Sequence, residues 1–87
     1  MKAVISVLGK DMVGILARVS TICANANANV LEVTQSIIDK YFAMYMMVDI
    51  TDMTVDLEKL RIDLREGVPE MEIHVMHEDI FNSMHKI

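Results

Sequence analysis

The spacing of apolar residues changes along the chain between a strand-like and a helix-like period, and these changes outline the first two elements. An apolar run over residues 2–8 predicts a strand. Over residues 15–26, apolar positions recur at helical spacing opposite a polar face, which predicts an amphipathic helix. We expect this helix to end in the Asn-rich segment 25–29, because Asn tolerates the left-handed conformation that stops a helix.

Two strands joined by a short connection follow this helix. Residues 30–38 alternate between apolar and polar, which predicts a strand with Leu31 and Val33 on the same face. Residues 41–50 form a further strand that is apolar on both faces. The intervening Asp39 and Lys40 make a two-residue connection, so the two strands form an antiparallel hairpin.

The second half of the chain repeats the order of helix and strand. We expect the N-cap of the second helix at Thr54 or Asp52. Gly67 is expected just after this helix, and Pro69 prevents its continuation. The remaining predicted elements are a helix over 55–66, an alternating strand over 70–76 and a short terminal helix over 78–86.

The order of these elements, βαββαβ, predicts an α+β fold of the ferredoxin-like type. In this fold a four-stranded antiparallel sheet carries both helices on one face. The short terminal helix is additional. Strands that are apolar on both faces are covered on both faces, so the second face of the sheet needs a cover as well. The terminal helix, a second subunit or both could provide it.

Composition indicates a single domain over residues 1–87 with an aliphatic core. Hydrophobic residues make up 53% of the chain, but aromatic residues only 5%, and nine residues are Met. Met side chains therefore fill gaps in the core. So much apolar surface on a small chain favours burial of part of it between subunits.

The net charge, the targeting signals and the cysteine content indicate which partners and which cellular location this protein can have. The net charge of −5 argues against a nucleic-acid partner, which would require a basic surface. We find no signal peptide and no membrane span. The single Cys cannot form an internal disulfide and fits a reducing compartment. We therefore expect a soluble cytoplasmic protein.

The segment between the first strand and the first helix is the most informative part of the sequence. Its two glycines allow a ligand to approach the backbone closely. The free N–H groups at the start of the helix can bind a carboxylate, and Asp11 can accept hydrogen bonds from an ammonium group. This combination suits the head group of a free amino acid. Alternatively, the glycines only form a turn and Asp11 caps the helix. The segment comprises Gly9, Lys10, Asp11, Met12, Val13, Gly14 and Ile15.

Together with the element order, this segment resembles the first loop of ACT domains, which are small amino-acid-binding regulatory modules. It is similar to the family pattern of glycine, any residue, aspartate, any two residues, glycine and an aliphatic residue. In related loops a basic residue often follows the aspartate, whereas this chain has Met12. The chain resembles in particular the stand-alone ACT proteins of unassigned function. Further likeness lies in Asn29, Val30, Gln35, Asp39, the run 41–44 and the segment 80–84.

The resemblance implies a homodimer or higher homo-oligomer that binds an amino acid between its subunits. In ACT domains the first loop of one subunit faces the second strand of its neighbour. Asp11 and the backbone of residues 12–15 would then contact the ligand, with Asn29 and Val30 opposite. A regulatory role of this kind requires a partner enzyme or regulator as the recipient of the signal.

Other candidate chemistry has simpler explanations. His74 and His77 would point to opposite faces of a strand, which is poor geometry for a shared metal. Cys23 lies on the apolar stripe of the first helix, where a buried and inert thiol is expected. Capping of the second helix accounts for the nearby carboxylates better than acid–base chemistry does. These carboxylates are Asp49, Asp52 and Asp56. We expect no enzyme activity, no metal and no cofactor.

Two functions fit these observations. The first is a regulatory homodimer that binds an amino acid and signals to a partner protein. The alternative is a ligand-free protein–protein interaction module with an ACT-like fold, in which side chains such as Met12 fill the pocket.

Overall fold

A computed structural model describes residues 1–10 and 13–84 and contains four strands and three helices in this range. Their order confirms the predicted βαββαβ arrangement with a terminal helix. Within the described residues, no helix has the length and apolar character needed to cross a membrane. The elements are β1 (Lys2–Lys10), α1 (Ile15–Asn25), β2 (Asn29–Ile38), β3 (Tyr41–Asp49), α2 (Leu57–Gly67), β4 (Glu72–His77) and α3 (Glu78–Met84).

The four strands form one antiparallel sheet in the order β2-β3-β1-β4. The sheet is therefore ferredoxin-like, as the element order predicts. Strand β1 has neighbours on both sides, while β2 and β4 are the edges. Across the sheet, Lys2 pairs with Asp49, and Lys10 pairs with Tyr41 next to the hairpin turn. The Asp39-Lys40 connection is confirmed, with Asp39 at a φ of 56°.

One face of the sheet packs against α1 and α2 to form a single apolar core. The inward residues of β1, β3 and β4 meet the stripes of both helices, as predicted from their spacing. Among the described residues, no polar or charged residue is buried. The most deeply buried large side chains include Ile5, Val7, Ile15, Val19, Met44, Met46, Val48, Leu60, Leu64 and Val68.

The opposite face of the sheet is covered in part by α3. Phe81 of this helix lies against Tyr45, with 6.3 Å between the ring centroids. Val4, which shares this face, is only 3% exposed. Leu8 and Tyr41 nearer the hairpin turn stay about half exposed. The terminal helix thus provides part of the cover, and an apolar area remains open.

The start of α2 differs from the prediction, because the N-cap is Asp56 rather than Thr54 or Asp52. The Asp56 carboxylate accepts a hydrogen bond of 2.8 Å from the Lys59 N–H. Thr54 is instead engaged by the neighbouring turn, since its N–H donates to the Ala26 carbonyl at 2.9 Å. Thr54 is thus held in a turn against Ala26, and the helix begins after Asp56.

Two further details of the fold depend on packing contacts, which the periodicity of the sequence cannot predict. Gly67 lies inside α2 rather than after it, and a Cβ there would be 2.5 Å from Cδ1 of Ile22. In β2, the pairing with β3 is irregular between Val30 and Glu32. Leu31 lies at this bulge, which breaks the regular alternation with Val33 that the sequence predicts.

We predict that Asp56→Ala lowers the free energy of unfolding by about 1 kcal/mol, because an N–H at the start of α2 loses its acceptor. Asp56→Asn should retain most of the stability, since an amide oxygen accepts the same hydrogen bond. Urea unfolding followed by circular dichroism measures both variants.

Asp52→Ala is the matched control, because it removes a nearby carboxylate that makes no cap. This control should change the stability by less than about 0.5 kcal/mol. Equal losses for the Asp52 and Asp56 variants would contradict the assignment of the cap.

Candidate functional site

The predicted ligand loop connects the end of β1 to the start of α1. Gly9 and Lys10 are the last two residues of β1, and Gly14 immediately precedes α1. Asp11 and Met12, which the sequence predicts to contact the ligand, lie outside the described residues. The structure therefore places the two ends of the loop.

Gly14 is the N-cap of α1 and has a backbone conformation that favours glycine. Its φ is 82°, and its carbonyl accepts the N–H of Arg18 at 3.0 Å to begin the helix. A Cβ at Gly14 would meet no heavy atom of residues 1–10 and 13–84 within 4 Å, so the described residues leave this side of the backbone open. The preceding Val13 is fully exposed, whereas Ile15 is 1% exposed and holds the helix start against the core.

The start of α1 has the electrostatic character that an anion site needs. The first N–H groups of a helix have no intrahelical acceptor and carry the positive end of its dipole. Gly14 has no side chain that could cap them, and the first turn of α1 contains no acidic residue. A carboxylate approaching Gly14 from the side that the described residues leave open would therefore meet donors that none of these residues caps.

Gly9 has a packing role. A Cβ at this position would lie 2.6 Å from Sδ of Met71 in the turn before β4. The absence of a side chain lets that turn close over the end of β1. The neighbouring Lys10 is exposed and pairs with Tyr41.

Asn29 and Val30 lie at the other end of the sheet from the loop. Asn29 pairs with Asp49, which in turn pairs with Lys2 at the start of β1. Gly9 lies seven positions after Lys2 along β1, a distance of about 23 Å at the rise of an extended strand. A single chain therefore does not bring the two predicted parts of the site together.

The surroundings of Asn29 are polar. It lines a cavity of about 360 Å³ together with Asn27, Asp49 and Asp52. The Asp49 carboxylate accepts hydrogen bonds from the Thr51 hydroxyl at 2.6 Å and the Thr51 N–H at 2.9 Å. These hydrogen bonds hold the pKa of Asp49 below its usual value, so this carboxylate carries its charge at neutral pH.

The other candidate groups do not form a catalytic arrangement in the described part of the chain. Burial raises the pKa of the Cys23 thiol to about 11, so the thiolate is disfavoured, as expected for an inert core residue. His74 lies 3.1 Å from a carboxylate oxygen of Glu72. Over the described ranges, no three His, Cys, Asp or Glu side chains are grouped to hold a metal ion.

A cleft under α3 is a feature that sequence reasoning missed. It has a volume of about 170 Å³ and combines one carboxylate with two aromatic rings. Strand alternation alone could have grouped Glu32, Thr34, Tyr45 and Met47 on one face. The sequence also offered the terminal helix as a possible cover of this face, but it did not indicate that Phe81 would meet Tyr45. The lining residues are Val4, Glu32, Thr34, Tyr45, Met46, Met47 and Phe81.

The chain is similar along its whole length to proteins of the UPF0237 group. It is 44% identical over 89 residues to a UPF0237 protein of Listeria innocua, and each chain is covered completely. It is 47% identical over 89 residues to a UPF0237 protein of Clostridium perfringens, again with complete coverage of both chains. The ACT domain family model matches residues 2–78.

Solved structures have the same fold. An ACT domain protein from Streptococcus pneumoniae superimposes with a TM-score of 0.80 at 33% identity, covering 98% of each chain. A formyltetrahydrofolate deformylase from Pseudomonas putida gives a TM-score of 0.79 at 14% identity, covering 91% of this chain and 29% of that one. The latter likeness concerns the fold alone. The family match and the relatives establish that this chain belongs to the ACT domain family.

Proposed function

We propose that this protein is an amino-acid-binding regulatory module that acts as a homodimer in the cytoplasm and signals to a partner protein. ACT domains are a small-molecule-binding regulatory fold, which supports the general class. Among the structural neighbours are a putative glycine cleavage system transcriptional repressor and formyltetrahydrofolate deformylases. We assign a binding role rather than a catalytic one on the strength of the family match.

The open start of α1 at Gly14 is the observation that carries this proposal. The positive φ of 82° and the space that the described residues leave beside Gly14 allow a ligand to reach the backbone N–H groups. The carboxylate of an amino acid would bind there, and the charge of Asp11 would pair with its ammonium group. Lys10, exposed at the end of β1, adds a positive charge near the carboxylate.

The edge strand β2 offers a way to complete the site with a second copy. An edge strand presents unpaired N–H and C=O groups along its outer side. Antiparallel pairing of two β2 strands would place Asn29 of one copy beside the Ile38 end of the other. The loop leaves the sheet at that end, because Lys10, Tyr41 and Ile38 are neighbours in register. Such a dimer brings the two predicted halves of the site closer together.

The partner protein would read the state of this dimer. The curated relatives in Listeria innocua and Clostridium perfringens are matched over their entire length, so they are proteins of the same size. The ligand-dependent signal would pass to a separate chain that recognises the ligand-bound dimer. We propose an enzyme or a regulator as that chain.

A ligand-free interaction module is the second candidate, and one observation favours it. The hairpin end of the sheet exposes a group of large apolar side chains that a protein partner could bury. Ile37, Ile38 and Tyr41 are 63%, 69% and 54% exposed, and Leu8 lies beside them at 47%. An interaction module of this kind would use the apolar end and would not respond to amino acids.

We predict a dimer of about twice 9.9 kDa in sedimentation equilibrium at tens of micromolar. Thr34→Lys should shift the protein toward monomer, because residue 34 lies at the middle of β2 and antiparallel pairing of two copies sets the two new lysines next to each other. A wild-type monomer under these conditions would contradict the dimer.

Ala24→Lys on α1 is the matched control, since it adds the same charge at an exposed position away from β2. The control should remain dimeric. Dissociation of both variants would point to a general charge effect and not to pairing through β2.

We predict that Asp11→Asn weakens amino-acid binding by at least tenfold. The reason is the loss of a hydrogen bond between charged groups, which contributes about 1.5–3 kcal/mol. A thermal-shift screen of the amino acids on the wild-type protein identifies the ligand. A ligand at one hundred times its Kd should stabilise the fold by about 2.7 kcal/mol. Calorimetry then compares the affinities of the two proteins.

The unliganded Asp11→Asn protein should melt at nearly the wild-type temperature. A loss of stability of about 1 kcal/mol without a change in affinity would instead assign Asp11 a structural role. Substitution of Gly14 is a poorer test, because any side chain at a φ of 82° strains the backbone whether or not a ligand binds.

A further inference from the structure

The cleft under α3 has walls of different chemical character. Its floor is apolar: Val4 of β1 and Met47 of β3 are register partners and lie side by side. Glu32 of β2 pairs with Met47 and extends this row to the edge of the sheet. In the next row, Thr34 pairs with Tyr45. Side chains paired in this way are about 5 Å apart, so these groups surround one small volume.

Glu32 gives the cleft a negative charge that no described residue neutralises. No described Lys, Arg or His forms an ion pair with its carboxylate, and no described group donates a hydrogen bond to it. None of the described residues that line the cleft is basic. The cleft therefore favours a cation over an anion or a neutral molecule.

Two aromatic rings form the adjoining wall. Tyr45 and Phe81 both line the cleft, with their ring planes tilted by 58° and their centroids 6.3 Å apart. The faces of such rings attract organic cations within about 6 Å of the centroid. An inorganic cation would gain little binding energy from these rings and from the Met and Val side chains of the floor. An alkylated ammonium ion would contact both the rings and the floor.

We propose that this cleft binds a small organic ammonium ion. The carboxylate of Glu32 pairs with the charge, the rings of Tyr45 and Phe81 contact the groups attached to nitrogen, and Met47 contacts the carbon chain. The volume of about 170 Å³ equals that of about six water molecules, which suits a small molecule rather than a peptide.

This site does not use the loop half of the proposed amino-acid site, although Asn29 and Val30 of the other half lie on β2 close to Glu32. Val4, Met47 and Glu32 lie toward the end of the sheet near Lys2, on the face that carries α3, whereas the helix start at Gly14 adjoins the other end. Binding in the cleft does not require a functional loop. The two proposals can therefore fail independently.

The test is an NMR titration of the wild-type protein with choline, ethanolamine and the uncharged carbon isostere of choline. We expect choline to shift the amide resonances of Glu32, Thr34, Tyr45 and Phe81 in a saturable manner. The uncharged isostere should shift them at least about threefold more weakly, because it cannot pair with the carboxylate. Ethanolamine tests whether a primary ammonium is accepted as well.

Glu32→Gln should weaken choline binding by about three- to fivefold, the range of an exposed ion pair. Glu72→Gln is the matched control, because it removes the same charge from the same face of the sheet at the opposite edge. It should leave the affinity for choline unchanged. Phe81→Leu should weaken binding by about two- to fivefold through loss of the ring.

Three results would overturn the proposal: equal affinity for choline and its uncharged isostere, equal loss in the Glu32 and Glu72 variants, or shifts that map outside the cleft. Glu32→Gln changes an exposed side chain, so the NMR spectrum of the unliganded variant should match that of the wild type. The Glu32→Gln comparison therefore still tests the proposal if Phe81→Leu loosens α3. Failure of the amino-acid screen would leave this result untouched, since the cleft and the loop are probed by different ligands.

Discussion

The structure depends on the packing of two amphipathic helices against one face of a sheet centred on β1. Ala3, Ile5 and Val7 of β1 are at most 1% exposed, with β3 and β4 on either side and the helices above. Each fully buried aliphatic side chain contributes about 1.5–3 kcal/mol of transfer free energy, and the core has no buried polar residue in the described ranges. The fold therefore rests on apolar burial, with Met filling the irregular spaces.

This core also fixes the geometry of the candidate ligand site. Ile15 is anchored in the core and Gly9 is held beneath Met71, so both ends of the connecting loop are tied to rigid elements. The first turn of α1 thereby presents its N–H groups toward the open side of Gly14. An anion site of this kind needs no charged side chain in the core, because the helix backbone supplies the donors.

The two faces of the sheet serve different purposes. The face under α1 and α2 is closed and carries the stability of the domain. The opposite face is covered in part by α3, whose Phe81 meets Tyr45, and β2 extends along the edge with most of its side chains exposed on both faces. The surfaces available for a second subunit, a partner or a further ligand are consequently concentrated on β2, β3 and α3.

The sequence by itself determined the elements, their order and the inward stripes, because residues such as Val19, Met44 and Leu64 follow helix and strand periods that hold without knowledge of neighbours. It also singled out Gly14. Only the tertiary structure decided what depends on contacts between distant segments. Thr54 is hydrogen-bonded to Ala26 and the N-cap of α2 is Asp56. Leu31 lies at the β2 bulge and departs from the regular alternation of the strand. Strand pairing likewise determines how far Asn29 lies from Gly9. The cleft also depends on tertiary structure, because Glu32 and Phe81 come from opposite halves of the chain and meet only when α3 folds back across the sheet.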